Sequence, residues 1–303
     1  MEKVAAKKID PTPIIQSVFK GGTECHMLKE ECLPYKTQPF TVRVIYVVPM
    51  DAEPWGEASH RATEWLEDIQ WFFADEMKWR GHGPKTFKIA KDESGGLVLH
   101  QINSSLPKKE FGRDPVNNCK NAAQAHGLRS ANDVVVYFYE SYSITDGKVS
   151  GQGAKGGKRK GGGEAFLSSL HLKMARREWI ANDNEYGGEV FDWISSEPMK
   201  GDTLSWQGRG RKLGDVSGSA FGMMAHELGH CFGLPGDRAD DRNRKGNLMG
   251  NGCRGMRGYF RPDLTDDRCV LSEGSAAILD KNDFFAVRKL KPKSMSFSDA
   301  AGK

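Results

Sequence analysis

Five consecutive residues, His226-Glu227-Leu228-Gly229-His230, carry the strongest chemical signal in this chain of 303. Residues four apart on a helix share one face, so His226 and His230 can present both imidazoles to a single ion, with Glu227 beside them. Zinc suits imidazole ligands and lowers the pKa of a bound water from about 15.7 towards about 7. A neighbouring carboxylate can then take the proton of that water as it attacks a carbonyl. The pattern HExxH thus supplies two ligands and a general base. The bland alternative is a chance pattern on an ordinary helix, with both histidines at the surface or in the core.

The surroundings weigh against chance. Gly233 lies seven residues after His226, where a glycine lets the helix end sharply and the chain turn back, and Asn247-Leu248-Met249-Gly250 follows ten residues beyond Asp237. With HExxHxxG and a downstream methionine turn, the segment from Phe221 to about Gly250 resembles the metzincin family of zinc peptidases. The resemblance implies an α+β fold: a twisted mixed sheet over helices, an active-site helix, and a smaller, mostly irregular C-terminal subdomain. It also implies that Met249 lies beneath the metal, although alone it would read as a core methionine. The segment Ala165 to Met174 becomes the edge strand that pairs with an extended substrate, which would bring His171 near the cleft. As a lone strand histidine, His171 packs or faces water.

One departure concerns the third ligand. The family places it ten residues after the first histidine, which here is Gly236 and offers no side chain. No histidine follows His230, so a downstream ligand must be a carboxylate. Asp237 is the nearest candidate, with Asp240 and Asp241 as alternatives. A glutamate on a later helix would have to be Glu273, a poor match to the rival arrangement. Asp237, Asp240, Asp241 and Asn243 can also be read as a solvated acidic loop or as oxygen ligands for calcium. Tyr259, downstream of the turn, is a candidate donor to the oxyanion.

The elements that must position these groups read as follows. Residues 1–38, with Pro11, Pro13 and Pro34, form an irregular extension. A catalytic subdomain spans 39–236 and the C-terminal subdomain 237–303. Phe40 to Val48 and Val134 to Tyr139 are apolar runs expected as central strands covered on both faces. Ser59 to Arg80 has apolar residues at helical spacing, with Gly81 as its C-terminal cap. Thr86 to Ala90 and Leu97 to Ile102 are short strands, and Val116 to His126 is a short helix. Glu185 to Leu213 reads as a long structured loop. The motif helix is expected over Ser217 to Phe232, with Ser217 or Ser219 as N-cap, and a final helix over about Gly274 to Leu290. Lys155 to Lys160, set in glycines, reads first as a flexible solvated loop and second as an anion-binding patch.

Composition excludes several classes. A hydrophobic content of 38% with 10% aromatics can bury a core, and a formal charge of +4 implies no nucleic-acid partner. No apolar stretch is long enough to span a membrane. Six cysteines suit either a few disulfides or buried thiols; Cys25 with Cys32 and Cys253 with Cys269 are the pairings suggested by proximity, and they favour a secreted or extracytoplasmic protein. Taken together, the residues point to a zinc-dependent endopeptidase, favoured as a monomer, acting on protein or peptide substrates. A binding or adhesion module with a vestigial metal site is the alternative, as is a zinc hydrolase of non-peptide amides.

Overall fold

The computed structural model describes residues 40–128, 132–145, 148–151, 155–181, 213–236, 246–266, 268–288 and 290. Its centre is strand β1 (Thr41–Val48), buried along its whole length. The strand's period-two alternation divides the core in two. Val42, Val44, Tyr46 and Val48 enter one apolar cluster, whereas Ile45 and Val47 enter a second on the opposite face. The β-branched run therefore forms a strand covered on both sides, as expected.

Three short strands follow in the chain. β2 (Lys85–Thr86) lies outside the main sheet, while β3 (Lys88–Ile89) and β4 (Leu99–Asn103) pair in turn with one edge of β1. β5 (Val134–Tyr139) pairs with the other edge of β1, and a small antiparallel hairpin of β6 (Tyr142–Thr145) and β7 (Lys148–Gly151) follows it. β9 (Gly162–Ser168) pairs parallel to β5, and β8 (Lys155–Arg159) closes that side of the sheet as the one antiparallel member. The sheet is thus mixed.

The helix Ala58–Trp79 lies on the first face, burying Trp65, Leu66, Ile69, Phe72, Phe73 and Met77, and Gly81 beyond it takes φ 85°. On the second face sits the helix Pro115–Ala125, capped by the Asp114 side chain. The helix Leu213–Cys231 carries the histidine motif and packs on the first face. It starts earlier than expected. Ser217 lies inside it, and its hydroxyl accepts from the Arg176 amide and donates to the Arg176 carbonyl, so neither it nor Ser219 is an N-cap.

The glycine and lysine stretch is not a loop. It supplies β8 and the start of β9, and the reason is steric. A Cβ on Gly156 would lie 2.0 Å from the Glu227 carbonyl oxygen, and one on Gly163 would lie 2.6 Å from the Cys231 Cα. Only glycine lets the motif helix approach this sheet edge at backbone distance. The segment expected as the edge strand, Ala165 to Met174, instead lies one strand inward and then changes to a helix, Ser169–Met174, with Ser168 as its N-cap.

The C-terminal part is built from short pieces: β10 (Gly246–Asn247) pairs with β11 (Cys269–Val270), and β12 (Ala286–Val287) pairs with β2. The last helix among the described residues is Glu273–Asp280, capped by Ser272 and shorter than the apolar periodicity suggested, because Phe284 and Phe285 leave it to join the core. Cys253 and Cys269 are buried and form no disulfide with each other, so the pairing expected between them does not form. Cys25, Cys32 and the expected loop Glu185 to Leu213 lie outside the described residues, apart from Leu213 itself. No helix among the described residues is long and apolar enough to cross a membrane.

Two expectations follow. Gly163→Ala should cost roughly 2–3 kcal/mol, read as a lower urea midpoint, because the obstacle is helix backbone and cannot step aside. The second concerns His100 and His171, both held near pKa 4 by burial, with Arg43 adding to the effect at His100. The unfolded chain takes up these protons near pH 6.5 while the native state stays neutral to about 4, so stability falls as pH drops through that window. The loss is up to roughly 3 kcal/mol per histidine. His171→Asn should flatten the decline in urea midpoint between pH 7 and pH 5; an unchanged slope would contradict it.

Candidate active site

The motif helix runs along the sheet edge with its histidines towards the C-terminal segment. Each imidazole is anchored through Nδ1 to a backbone carbonyl: His226 to Leu248 at 2.8 Å, and His230 to Leu234 at 2.9 Å. A carbonyl only accepts, so each Nδ1 carries the ring hydrogen and each Nε2 is left with its lone pair. The two Nε2 atoms face each other at 3.0 Å. Two lone pairs at that separation repel unless a cation lies between them. Tetrahedral zinc, with bonds of about 2.0–2.1 Å, would hold two nitrogens about 3.3 Å apart, so the pair fits a zinc ion within a few tenths of an ångström. Hydrogen bonds from the far ring nitrogen to protein oxygens are also the usual way a metal-binding imidazole is oriented.

The carbonyls that orient the rings come from two turns. Leu234 follows Gly233, whose φ of 88° allows the sharp reversal at the helix end. Leu248 belongs to the methionine turn, where the Asn247 side chain accepts from the amides of Met249 (3.3 Å) and Ser272 (3.4 Å). Met249 is buried under the helix, and a Cβ on Gly229 would lie 2.6 Å from its Sδ. The glycine between the two histidines therefore makes room for the methionine. Residues 271–272 are in turn tied to the helix Ala58–Trp79 by Glu76, which accepts from the Leu271 amide at 2.8 Å.

Glu227 is largely buried, with 8% of its surface exposed. Burial pushes its carboxyl above the ordinary range, while the neighbouring His230 imidazole and the Gly156 amide, which donates to the carboxylate, pull the other way. β8 thus touches the motif helix twice at this point, through the Glu227 backbone and through its side chain.

The other expected residues are placed as follows. Asp237, Asp240 and Asp241 lie outside the described residues, as does Asn243, so the third ligand and the calcium reading rest on sequence alone. Among the described residues no group of three metal-capable side chains converges. Tyr259 is not placed as an oxyanion donor: its hydroxyl donates to Asp75 at 2.7 Å and its ring packs edge-on against Phe72. His171 is buried in a helix, its Nδ1 within 3.3 Å of the Ser168 carbonyl, and does not line a cleft. Gly156 and Asn247 are contributors the sequence reading missed. The dipeptide Gly156-Gly157 between lysines carries no strand signal, whereas an Asn opening a tight turn could have been recognised as a side chain that caps its own backbone.

No family model and no curated protein matches the sequence. Among solved structures, catalytically inactive OgpA from Akkermansia muciniphila in complex with an O-glycopeptide is similar at 17% identity and a TM-score of 0.52, covering 82% of this chain. Wild-type OgpA from the same organism is similar at 18% identity and 0.51, covering 83%. An archaemetzincin from Methanopyrus kandleri matches at 12% identity and 0.29, covering 71% of this chain and 83% of that one, a likeness too slight to bear on the site. The chain spans 61% and 63% of the two OgpA chains. What it shares with OgpA is the fold, an α+β arrangement with a twisted mixed sheet.

Proposed function

We propose that this chain is a zinc-dependent endopeptidase. The observation that carries the reading is the convergence of two oriented Nε2 lone pairs beside a carboxylate at a sheet edge that no other described strand covers. His226 and His230 would hold the metal, with Asp237 as third ligand, or Asp240 or Asp241 in its place. Bound there, zinc would supply Lewis acidity to a substrate carbonyl and to a water molecule. Glu227 takes the proton of the attacking water and returns it to the leaving amine, a role that suits a carboxyl lifted by burial. The Gly156 amide holds that carboxylate against the sheet edge and so fixes the direction from which the proton is taken.

An extended peptide reaches such a centre by adding to the free edge of β8, where backbone hydrogen bonds give affinity and side chains on alternate faces give selectivity. OgpA was crystallised with an O-glycopeptide, so glycosylated as well as plain peptides belong in a substrate panel. Cys253 and Cys269 form no disulfide with each other, which removes that pair from the support for a secreted or extracytoplasmic location.

The test pairs metal content with cleavage. Purified protein should hold about one zinc and cut an unstructured protein such as casein. Glu227→Ala should keep the zinc and lose about 10²- to 10⁴-fold in kcat/KM, the usual cost of a general base, while His226→Ala should lose the metal. Zinc-free wild type under metal-replete conditions, or a Glu227→Ala variant that still cuts at the wild-type rate, would overturn the reading.

A further inference from the structure

β8 has more to offer a peptide than its backbone. Its sequence, Lys155-Gly156-Gly157-Lys158-Arg159, runs on into Lys160, and Lys155, Lys158 and Lys160 are exposed. The cations on this edge are not equivalent. Arg159 is turned inward, with Nη2 on Asp133 at 2.9 Å and Nε 3.8 Å from Glu164. Lys155 and Lys158 have no carboxylate partner among the described residues.

Their directions follow from the strand. Gly156 faces the motif helix, since a Cβ there would run into the Glu227 backbone. By period-two alternation Lys158 shares that face, and Lys155 lies on the other. Lys158 shows this directly: its stem lies across the turn that ends the motif helix, with Cδ 3.0 Å and Nζ 3.4 Å from where a Gly233 Cβ would be. One ammonium therefore stands on each face of the free edge, and they bracket Gly156, the residue that holds Glu227.

We infer that this edge selects extended peptides carrying acidic side chains at two positions three residues apart, one opposite Lys155 and one opposite Lys158. The inference rests on the peptidase reading for what happens to the peptide, but the charge pattern belongs to β8 alone. Residues directly opposite across a strand pair share a face with Cβ atoms about 4.5–5.5 Å apart, close enough for opposite charges to attract and like charges to repel. Positions three apart fall on opposite faces, so the two lysines read two separate residues.

The experiment uses fluorogenic ten-residue peptides identical except for a pair of residues three apart, which are Glu, Gln or Lys, with the pair moved one position at a time along the peptide. In one register the Glu pair should raise kcat/KM about tenfold over the Gln pair, and the advantage should shrink in about 0.5 M salt. The double variant K155E/K158E should reverse the order to favour the Lys pair over the Glu pair. Equal cleavage of all three peptides in every register, or an unchanged order in the double variant, overturns the inference and leaves the hydrolase reading standing. If wild type cuts none of them, the hydrolase reading fails. Fluorescence anisotropy of the same peptides then decides the inference, which survives if the Glu pair binds tightest and K155E/K158E reverses the order, and falls otherwise.

Discussion

The contact on which this molecule turns is a helix lying on a sheet edge at backbone distance. Side chains ordinarily keep a helix about 10 Å from the sheet it covers, yet here the carbonyl of Glu227 and the Cα of Cys231 lie where Cβ atoms of Gly156 and Gly163 would be. Two glycines in neighbouring strands remove the spacer. The approach lets the Gly156 amide bond the Glu227 carboxylate, so this side chain is positioned by the edge of the sheet as well as by its own helix. Alanine at either position would push the motif away from the edge along which a peptide would lie.

Everything else in the site supports that placement from the opposite side. The Nδ1 atoms are held by carbonyls from the two turns after the helix, and Asn247 stabilises the second of these. Met249 fills the space that Gly229 leaves beneath the histidines. The segment paired with the turn through β11 is itself fastened to the long helix by the bond between Glu76 and Leu271, so the ring orientations depend on the assembled core rather than on the motif helix alone. Imidazoles on an isolated helix would lack these partners; here each ring is held through its Nδ1.

Much of this was legible beforehand and some was not, for specific reasons. β1, β5 and the long helix were readable because their apolar runs and 3.6-residue spacing report burial directly. β8 was missed because glycine is rare in strands, and a run of glycine and lysine reads as solvated loop. The same omission moved the expected edge strand one position inward, onto β9, and turned the segment bearing His171 from a strand into a helix. Ser217 has the chemistry of an N-cap, yet the helix extends past it because its hydroxyl finds partners in Arg176 instead. The Cys253 and Cys269 pairing rested on separation along the chain, which says nothing about the geometry a disulfide demands.

The sequence by itself determined the chemistry available: two histidines one helical turn apart with a glutamate between them, a glycine to end the helix, and a methionine turn to follow. These are local patterns, set by residue type and by the 3.6-residue period, and they survive without knowledge of the rest of the chain. Only the tertiary structure decided which carbonyls lock the rings, which strand forms the edge of the sheet among the described residues, and that Tyr259 spends its hydroxyl on Asp75. Those outcomes depend on segments far apart in the chain meeting at contact distance, and nothing in the local pattern of either segment records its partner.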